Sequence, residues 1–552
     1  MFQKALREYE VVLLASGIDV RRFSWIRPLA GDYANNFGSV ATLYAGDPTS
    51  PAAWRAAVAR AQQHGRPRAD VVAVLASQQE RRSAPAEARG AAAQLADATT
   101  VAVVTGQQAG VFGGPLFTLL KAITAIQLAR RASAEHGVSV VPIFWVDAED
   151  HDWDEVRSVS VLDANFQPKS VDLETIDGAG QLPVAALKLT GDVDRALADL
   201  EASLARTDFT DWTMTGLRSA WRSGEGMASA FARWLEGLLG PLGLVVFESA
   251  DAAAKPLVAD LFARELQFPG KTASLAASAG AELSERGHQP QVVPQPESLS
   301  LFRLEGSRRP IRRQGDQFVV GDSVHAPATL AAEAVAHPER FSPNVLLRPV
   351  VQDALFPTIC YVAGPSELAY LGQLRGVYEH FGVPMPLMYP RASATLIDAA
   401  TARFLSKYDF PIEDLQPQDE SGLNRLLQSQ LPKTVEQALG EAEESIRRTM
   451  QRVIEVMPEV DPTLAGASKT TLGKMEHDLH ALQGKVIQAA KKRDETLRRQ
   501  FARAQAQIFP MGHPQERTLG VVFFLNRYGP ALIDRLLEEL PLEIGKHWVL
   551  SI

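Results

Sequence analysis

Cysteine is almost absent from this chain. Its 552 residues contain one, Cys360, so no disulfide can form within the chain and a cysteine-rich zinc site is excluded. That usage suits a reducing compartment. Long hydrophobic runs are missing as well: no stretch approaches the ~20 apolar residues of a membrane-spanning helix, and no membrane partner is expected. The first residues, MFQKALREYEVVLLASG, set Glu8 and Glu10 ahead of a short apolar run, where a signal peptide would carry basic residues and a longer one. The cytoplasm is the expected location. Excess positive charge is lacking too. Lys and Arg number 56 against 65 Asp and Glu, a formal net charge of −9, which argues against nucleic acid as a partner. No HExxH, G-x-S-x-G, C-x-x-C, EF-hand or Walker A pattern occurs, which removes support for zinc peptidase, serine hydrolase and P-loop chemistry.

What is present falls into two regimes. Up to about Thr395, short apolar runs (Val101–Thr105, Val138–Val146, Leu242–Glu248) alternate with helical patterns (Pro115–Ala132, Ala252–Leu266). Such alternation predicts an α/β fold with a parallel sheet covered on both faces. Residues of about 155–235 and 285–345 break the rhythm and read as insertions into a core spanning 1–414. Over 415–509 apolar residues recur every three or four positions: Leu439, Ala442, Ile446, Met450, Val453, Met457, then Leu472, Met475, Leu479, Leu482, Val486, Ala489, then Leu497, Phe501, Ala504, Ile508. This heptad-like stripe, flanked by Glu, Lys and Arg and broken at Asp461-Pro462, predicts a long antiparallel helical arm. Its stripe is covered by the arm's own helices, by a second subunit, or by both. Residues 510–552 return to globular composition, with a buried strand predicted at Leu519–Leu525 and a helix at Pro530–Leu540.

Three segments carry residues suited to chemistry. In VAVVTGQQAGVFGGPLFTLL a strand runs into Gly106, Gly110, Gly113 and Gly114, and Pro115 stands at a helix start. Read one way this is a tight turn. Read the other, backbone amides of Gly106 and Gly110, with Gln107 and Gln108, hold an anion. In VVPIFWVDAEDHDWDEV a strand delivers Asp147, Glu149, Asp150, His151, Asp152, Asp154 and Glu155 at its C-terminal end, where ligands of parallel sheets bind. Glu149, Asp150, His151 and Asp152 are candidate acid/base groups or ammonium ligands; a divalent-metal site is the other reading, and a solvated helix start explains Asp154 and Glu155 better than His151. In RPVVQDALFPTICYVAGPSELAYLGQL another strand ends at Gly364, with Ser366 as helix cap or ligand and Glu367 beside it. Arg348, Gln352 and Asp353 are expected in a loop near the same rim, and Cys360 in the core. Arg391, Arg517, Asn526 and Arg527 are further candidates for binding, the arginines as carboxylate clamps.

Together TGQQAGVFGGPLFTLLKA, FWVDAEDHDWDEV, AGPSELAYLGQL and FPMGHPQERTLGVVFFLNRYG, in this order around a helical arm, resemble the BshC family, the cysteine ligases of bacillithiol biosynthesis. The resemblance spans essentially the whole chain. It implies a Rossmann-like core with two connecting insertions, a C-terminal coiled coil used for homodimerisation, and a reaction joining L-cysteine to the amine of glucosaminyl malate. A more distant similarity to synthetase-type ligases implies ATP, although the chain has no HIGH-type motif and only a faint lysine signature at Lys469. Competing classes are a nucleotide-binding coiled-coil scaffold without turnover and a sugar-phosphate enzyme on the same kind of sheet.

Overall fold

The computed structural model describes residues 16–552 apart from position 494, with the backbone alone for Ser16 and residues 490–493. It comprises two compact units, one running to Leu396 and resuming over Gln515–Ile552, the other Ile397–Pro514.

The first unit is organised by a parallel sheet. Strand β1, Val101–Gln107, is buried along all but its last residue, so its continuous apolar run is what a doubly covered strand needs. Helix α1, Leu116–His136, follows it and ends at Gly137 in the left-handed region, φ 64°. Strand β2, Val140–Val146, pairs along the whole of β1. Strand β3 is Val245–Glu248. Helix α2, Arg348–Leu355, leads into β4, Thr358–Ala363; helix α3, Pro365–Leu371, follows, and β5 is Leu387–Pro390. All five strands are parallel, in the order β5-β4-β1-β2-β3, a Rossmann-like arrangement. The chain direction of winding reverses between β1 and β4, which opens a crevice at the C-terminal ends of those strands.

Two excursions interrupt this sheet. Between β2 and β3 lie the hairpin Ser158–Leu162/Pro168–Asp172 and helices Asp192–Ser203, Thr210–Ala220 and Met227–Leu239. Between β3 and α2 the chain forms helices and a second, five-stranded sheet spanning Ser298–Pro343, whose pairs are all antiparallel. A third sheet joins Ser16–Asp19, Lys546–Ser551 and Ser393–Ile397.

The segment expected as a strand at Leu519–Leu525 is instead helix Val521–Tyr528, set between Gly520 and Gly529. Its residues Val521–Asn526 are all buried, so the amphipathic period that announces a helix is missing. Arg348, Gln352 and Asp353, expected in a loop, lie on α2 and are buried.

The second unit contains helices Lys433–Val456 and Leu464–Arg493, linked by ion pair Arg447–Glu476 at 3.2 Å, and then Glu495–Ile508. The predicted stripe divides in two along Leu464–Arg493. Leu472, Leu479 and Val486 are half-buried, whereas Met475 and Leu482, one heptad apart, are 42% and 50% exposed. No helix among the described residues is long and apolar enough to cross a membrane.

Glycine is required after β1. Gly113 has φ +98°, and a Cβ there would sit 2.4 Å from the Trp234 ring. Gly113→Ala is expected to lower stability by more than the ~1–3 kcal/mol of the backbone strain alone, read as a lower urea midpoint.

Candidate active site

A cavity of about 610 Å³ opens where β1, β2 and β4 end. Its geometry begins with a lysine. Lys121 stands on the face of α1 turned back toward β1, and its Nζ donates to the Gly106 carbonyl (2.8 Å) and to Gln107 Oε1 (3.0 Å). Its side chain is only 3% exposed and pairs with Glu367 Oε2 at 2.5 Å. Glu367 lies in the first turn of α3, where it also accepts the Gly364 N–H (2.6 Å) and the hydroxyls of Tyr361 (2.9 Å) and Tyr370 (3.4 Å). Burial alone would raise this carboxyl; Lys121, the Gly364 amide and Arg348 outweigh it and hold Glu367 below the usual carboxylate range.

On the β2 side, Gln108 Nε2 bridges Asp150 (2.7 Å) and Glu155 (2.8 Å). Arg308, from the antiparallel sheet, lies 4.0 Å over the Phe302 ring, donates to the Pro343 carbonyl (2.9 Å) and approaches Asp150 at 3.7 Å. Arg348 of α2 lies under the floor, bonded to Tyr370 (3.3 Å) and Gln352 (3.1 Å), with Nε 3.9 Å from Asp147. On the far wall Arg391 is clamped by both oxygens of Glu516, at 2.6 and 3.0 Å. Arg391 and Arg517 lie 5.4 and 5.7 Å from the Phe117 ring centroid. Among the described residues no carboxylate pairs with Arg517. Behind this wall His547 bridges Ser393 (2.7 Å) and Thr395 (2.8 Å); burial pushes it down to about 4, so it is neutral.

Two family models match the chain: the N-terminal Rossmann-like domain of bacillithiol biosynthesis BshC over residues 17–392, and its C-terminal coiled-coil domain over 394–552. The chain belongs to the BshC family. It is 34% identical to a protein of Salinibacter ruber over 94% of this chain and 95% of the relative. It is 35% identical to one of Symbiobacterium thermophilum over 81% and 83%, and 34% identical to one of Koribacter versatilis over 79% and 81%. Each of these is named "Putative cysteine ligase BshC".

In this BshC chain the residues singled out from sequence divide sharply. Gly106, Gln107, Gln108, Asp150, Gly364, Ser366, Glu367, Arg391 and Arg517 line the cavity. The cap of α3 is formed at Gly364, and Ser366 sits in the first turn. Gly110 does not line it. The Gly110–Gly114 loop is buried, Leu116 N–H donates to the Leu519 carbonyl (2.9 Å), and Gly114 accepts from Val521 (2.9 Å). The start of α1 is thus met by protein rather than presented to an anion, and the glycines serve close packing. Glu149 is turned away into a buried ion pair with Lys255. Asp152 caps the short helix Trp153–Val156 through the Glu155 N–H. His151, 41% exposed, faces a separate groove and lies 3.2 Å from Arg308. Asn526 is buried against the Ala205 carbonyl (2.8 Å), and Arg527 lies over Phe166 at 5.1 Å; neither reaches the cavity. Among the described residues no group of three His, Cys, Asp or Glu side chains is placed to hold a metal ion.

Lys121, Phe117 and Arg308 escaped the sequence reading, and Asp147 was passed over for its neighbours. A lysine inside the apolar run LFTLLKAIT was the one signal available for Lys121.

Glu516→Gln leaves Arg391 buried without its counter-charge, an expected cost of about 3–5 kcal/mol at neutral pH in urea unfolding. Burial pushes Glu516 up, but Arg391 more than compensates and holds it below its ordinary range. The parent's advantage is therefore complete above the unfolded carboxylate pKa of about 4.3 and shrinks as pH falls through the lower folded value.

Proposed function

We propose that the chain is a ligase joining the carboxyl of L-cysteine to the amine of glucosaminyl malate, forming the amide of bacillithiol, with ATP activating the carboxyl. The observation that carries the reading is Arg517: a guanidinium beside an aromatic wall in the crevice, which among the described residues forms no ion pair, Glu516 and Glu155 acting on it only at longer range. Lys121, Arg308, Arg348, Arg391 and Arg517 line the cavity against Asp147, Asp150, Glu155 and Glu367, and Arg391 is already matched by Glu516 behind it. Lys121 is paired with Glu367, Arg391 with Glu516, Arg308 with Asp150 and Arg348 with Asp147, so among the described residues Arg517 is the lining cation left to meet an anionic group, a malate carboxylate or a nucleotide phosphate. The names of the relatives supply the reaction class, a cysteine ligase. Arg517 is the residue to hold an anionic group, with Phe117 stacking under it.

The arm joins two copies of the chain in this reading. Met475 and Leu482 form an exposed apolar line one heptad apart, which a second copy would cover. The reaction runs in the cytoplasm, where a single buried thiol such as Cys360 stays reduced.

Incubating pure protein with L-cysteine, glucosaminyl malate and ATP is expected to yield the condensed thiol by mass spectrometry, and release of AMP or ADP identifies the activation step. Absence of product in the parent overturns the ligase reading. Arg517→Ala is expected to raise KM for an anionic substrate about 10–100-fold, the ~1.5–3 kcal/mol of a charged hydrogen bond, with little change in unfolding midpoint. Met475→Glu with Leu482→Glu is expected to convert dimer to monomer in sedimentation equilibrium.

A further inference from the structure

We propose that Asp147 is the general base of the amide-forming step, taking the proton from the attacking amine. The inference rests on the condensation proposed above and assigns its proton transfer to one atom group.

The four carboxylates of the cavity are not equivalent. Glu367 is committed to Lys121, the Gly364 amide and two tyrosine hydroxyls. Asp150 accepts from Gln108 and from the His151 N–H (2.8 Å), and Glu155 accepts from Gln108. Asp147 lines the cavity, yet among the described residues its carboxylate accepts no hydrogen bond; the nearest cation, Arg348 Nε, is 3.9 Å away. Of the four, among the described residues it is the carboxylate with both oxygens open to a ligand.

The backbone beneath it is fixed. Asp147 N–H donates to the Gln107 carbonyl (2.9 Å), and Ala148 N–H to Ser249 Oγ (3.1 Å) and the Val146 carbonyl (2.8 Å). The carboxylate is thereby anchored at the end of β2, beside the reversal between β1 and β4. A base on a rigid strand end keeps its geometry through the reaction.

Its surroundings also suit the task. Burial raises the Asp147 carboxyl to about 6, Arg348 opposes the rise, Asp150 and Glu149 add to it, and Arg308 opposes it more weakly. Tyr370, bonded to Arg348, also acts on it and is kept neutral by burial, while Lys121, Glu155, Tyr361, Glu367, Arg391 and Arg517 line the same cavity. A carboxylate in this range is ionised at neutral pH yet basic enough to accept a proton as the bond forms.

The step balances as follows. The amine nitrogen attacks the cysteinyl carboxyl carbon, which carries a phosphoryl-type leaving group drawn from a nucleoside triphosphate. The C–N bond forms and the N–H proton passes to Asp147. The C–O bond to the leaving group breaks, the electron pair departing with its oxygen, and Asp147 then releases the proton to water.

The test compares the parent, Asp147→Asn and Asp147→Glu, with folding checked by urea midpoint. Asn fills the same space and accepts no proton. We expect its kcat to fall about 10²–10⁴-fold, with KM for the amine substrate within about threefold of the parent. The acid limb of the parental pH profile, near 6, is expected to vanish in Asp147→Asn and to persist, displaced, in Asp147→Glu. Carboxyl 13C NMR of the parent is expected to show an aspartate titrating near 6, a readout that needs no variant. Parental kcat in Asp147→Asn, an acid limb unchanged by that substitution, or no such aspartate overturns the assignment while leaving the ligase reading intact. A parent that makes no condensed thiol overturns both.

Discussion

A lysine ammonium enclosed by an apolar helix cannot remain there uncompensated, and much of the crevice follows from how Lys121 is compensated. Its three donors are taken by the Gly106 carbonyl, the Gln107 side chain and Glu367. The first two belong to β1, the third to the helix after β4. One side chain therefore ties the two βα units together at the place where the sheet reverses; burial still holds the lysine below its ordinary range, and its desolvation cost is reduced only when both are in position. Glu367 in turn gathers Tyr361 and Tyr370, and Tyr370 holds Arg348 under the floor. Position of the cavity and integrity of the sheet are the same condition.

Carboxylates crowd the end of β2, and the fold gives each a separate duty. Glu149 anchors the loop through Lys255, Asp152 caps a helical turn, and Asp150 is held by Gln108 and Arg308. Lys255, Arg308 and the Glu155 amide each take up one of these acids, and so several coexist around one histidine. It also explains why adjacency in sequence says little here. Successive residues of a turning loop point in unrelated directions, so neighbours in DAEDHDWDE end in a core, a cavity, a groove and a helix cap.

The α/β core and the arm were legible because both rest on periodicity: continuous apolar runs for doubly covered strands, and a heptad-like stripe for the helices. Segments buried on every side carry no period, which is why Val521–Tyr528 read as a strand and the antiparallel sheet over Ser298–Pro343 read as an irregular insertion. At the site, residues directly after strands were legible, since a parallel sheet always presents its ligand crevice there. Gly110 misled because glycine serves close packing as readily as it serves ligand approach: a Cβ there would sit 2.9 Å from the Gly114 Cα, and the Gly114 carbonyl is taken by the Val521 N–H. Arg308 and Phe117 were invisible for a different reason. Their role depends on long-range placement that local pattern does not encode.

Glu516 and Arg517, which complete the wall at Arg391 and Phe117, come late in the chain, after the whole of the arm. During translation Arg391 therefore emerges more than a hundred residues before its counter-ion. Until those last residues leave the ribosome, the nascent polypeptide has an open-sided crevice and an unmatched guanidinium. Any product of premature termination within the arm lacks both residues and leaves Arg391 without its counter-ion.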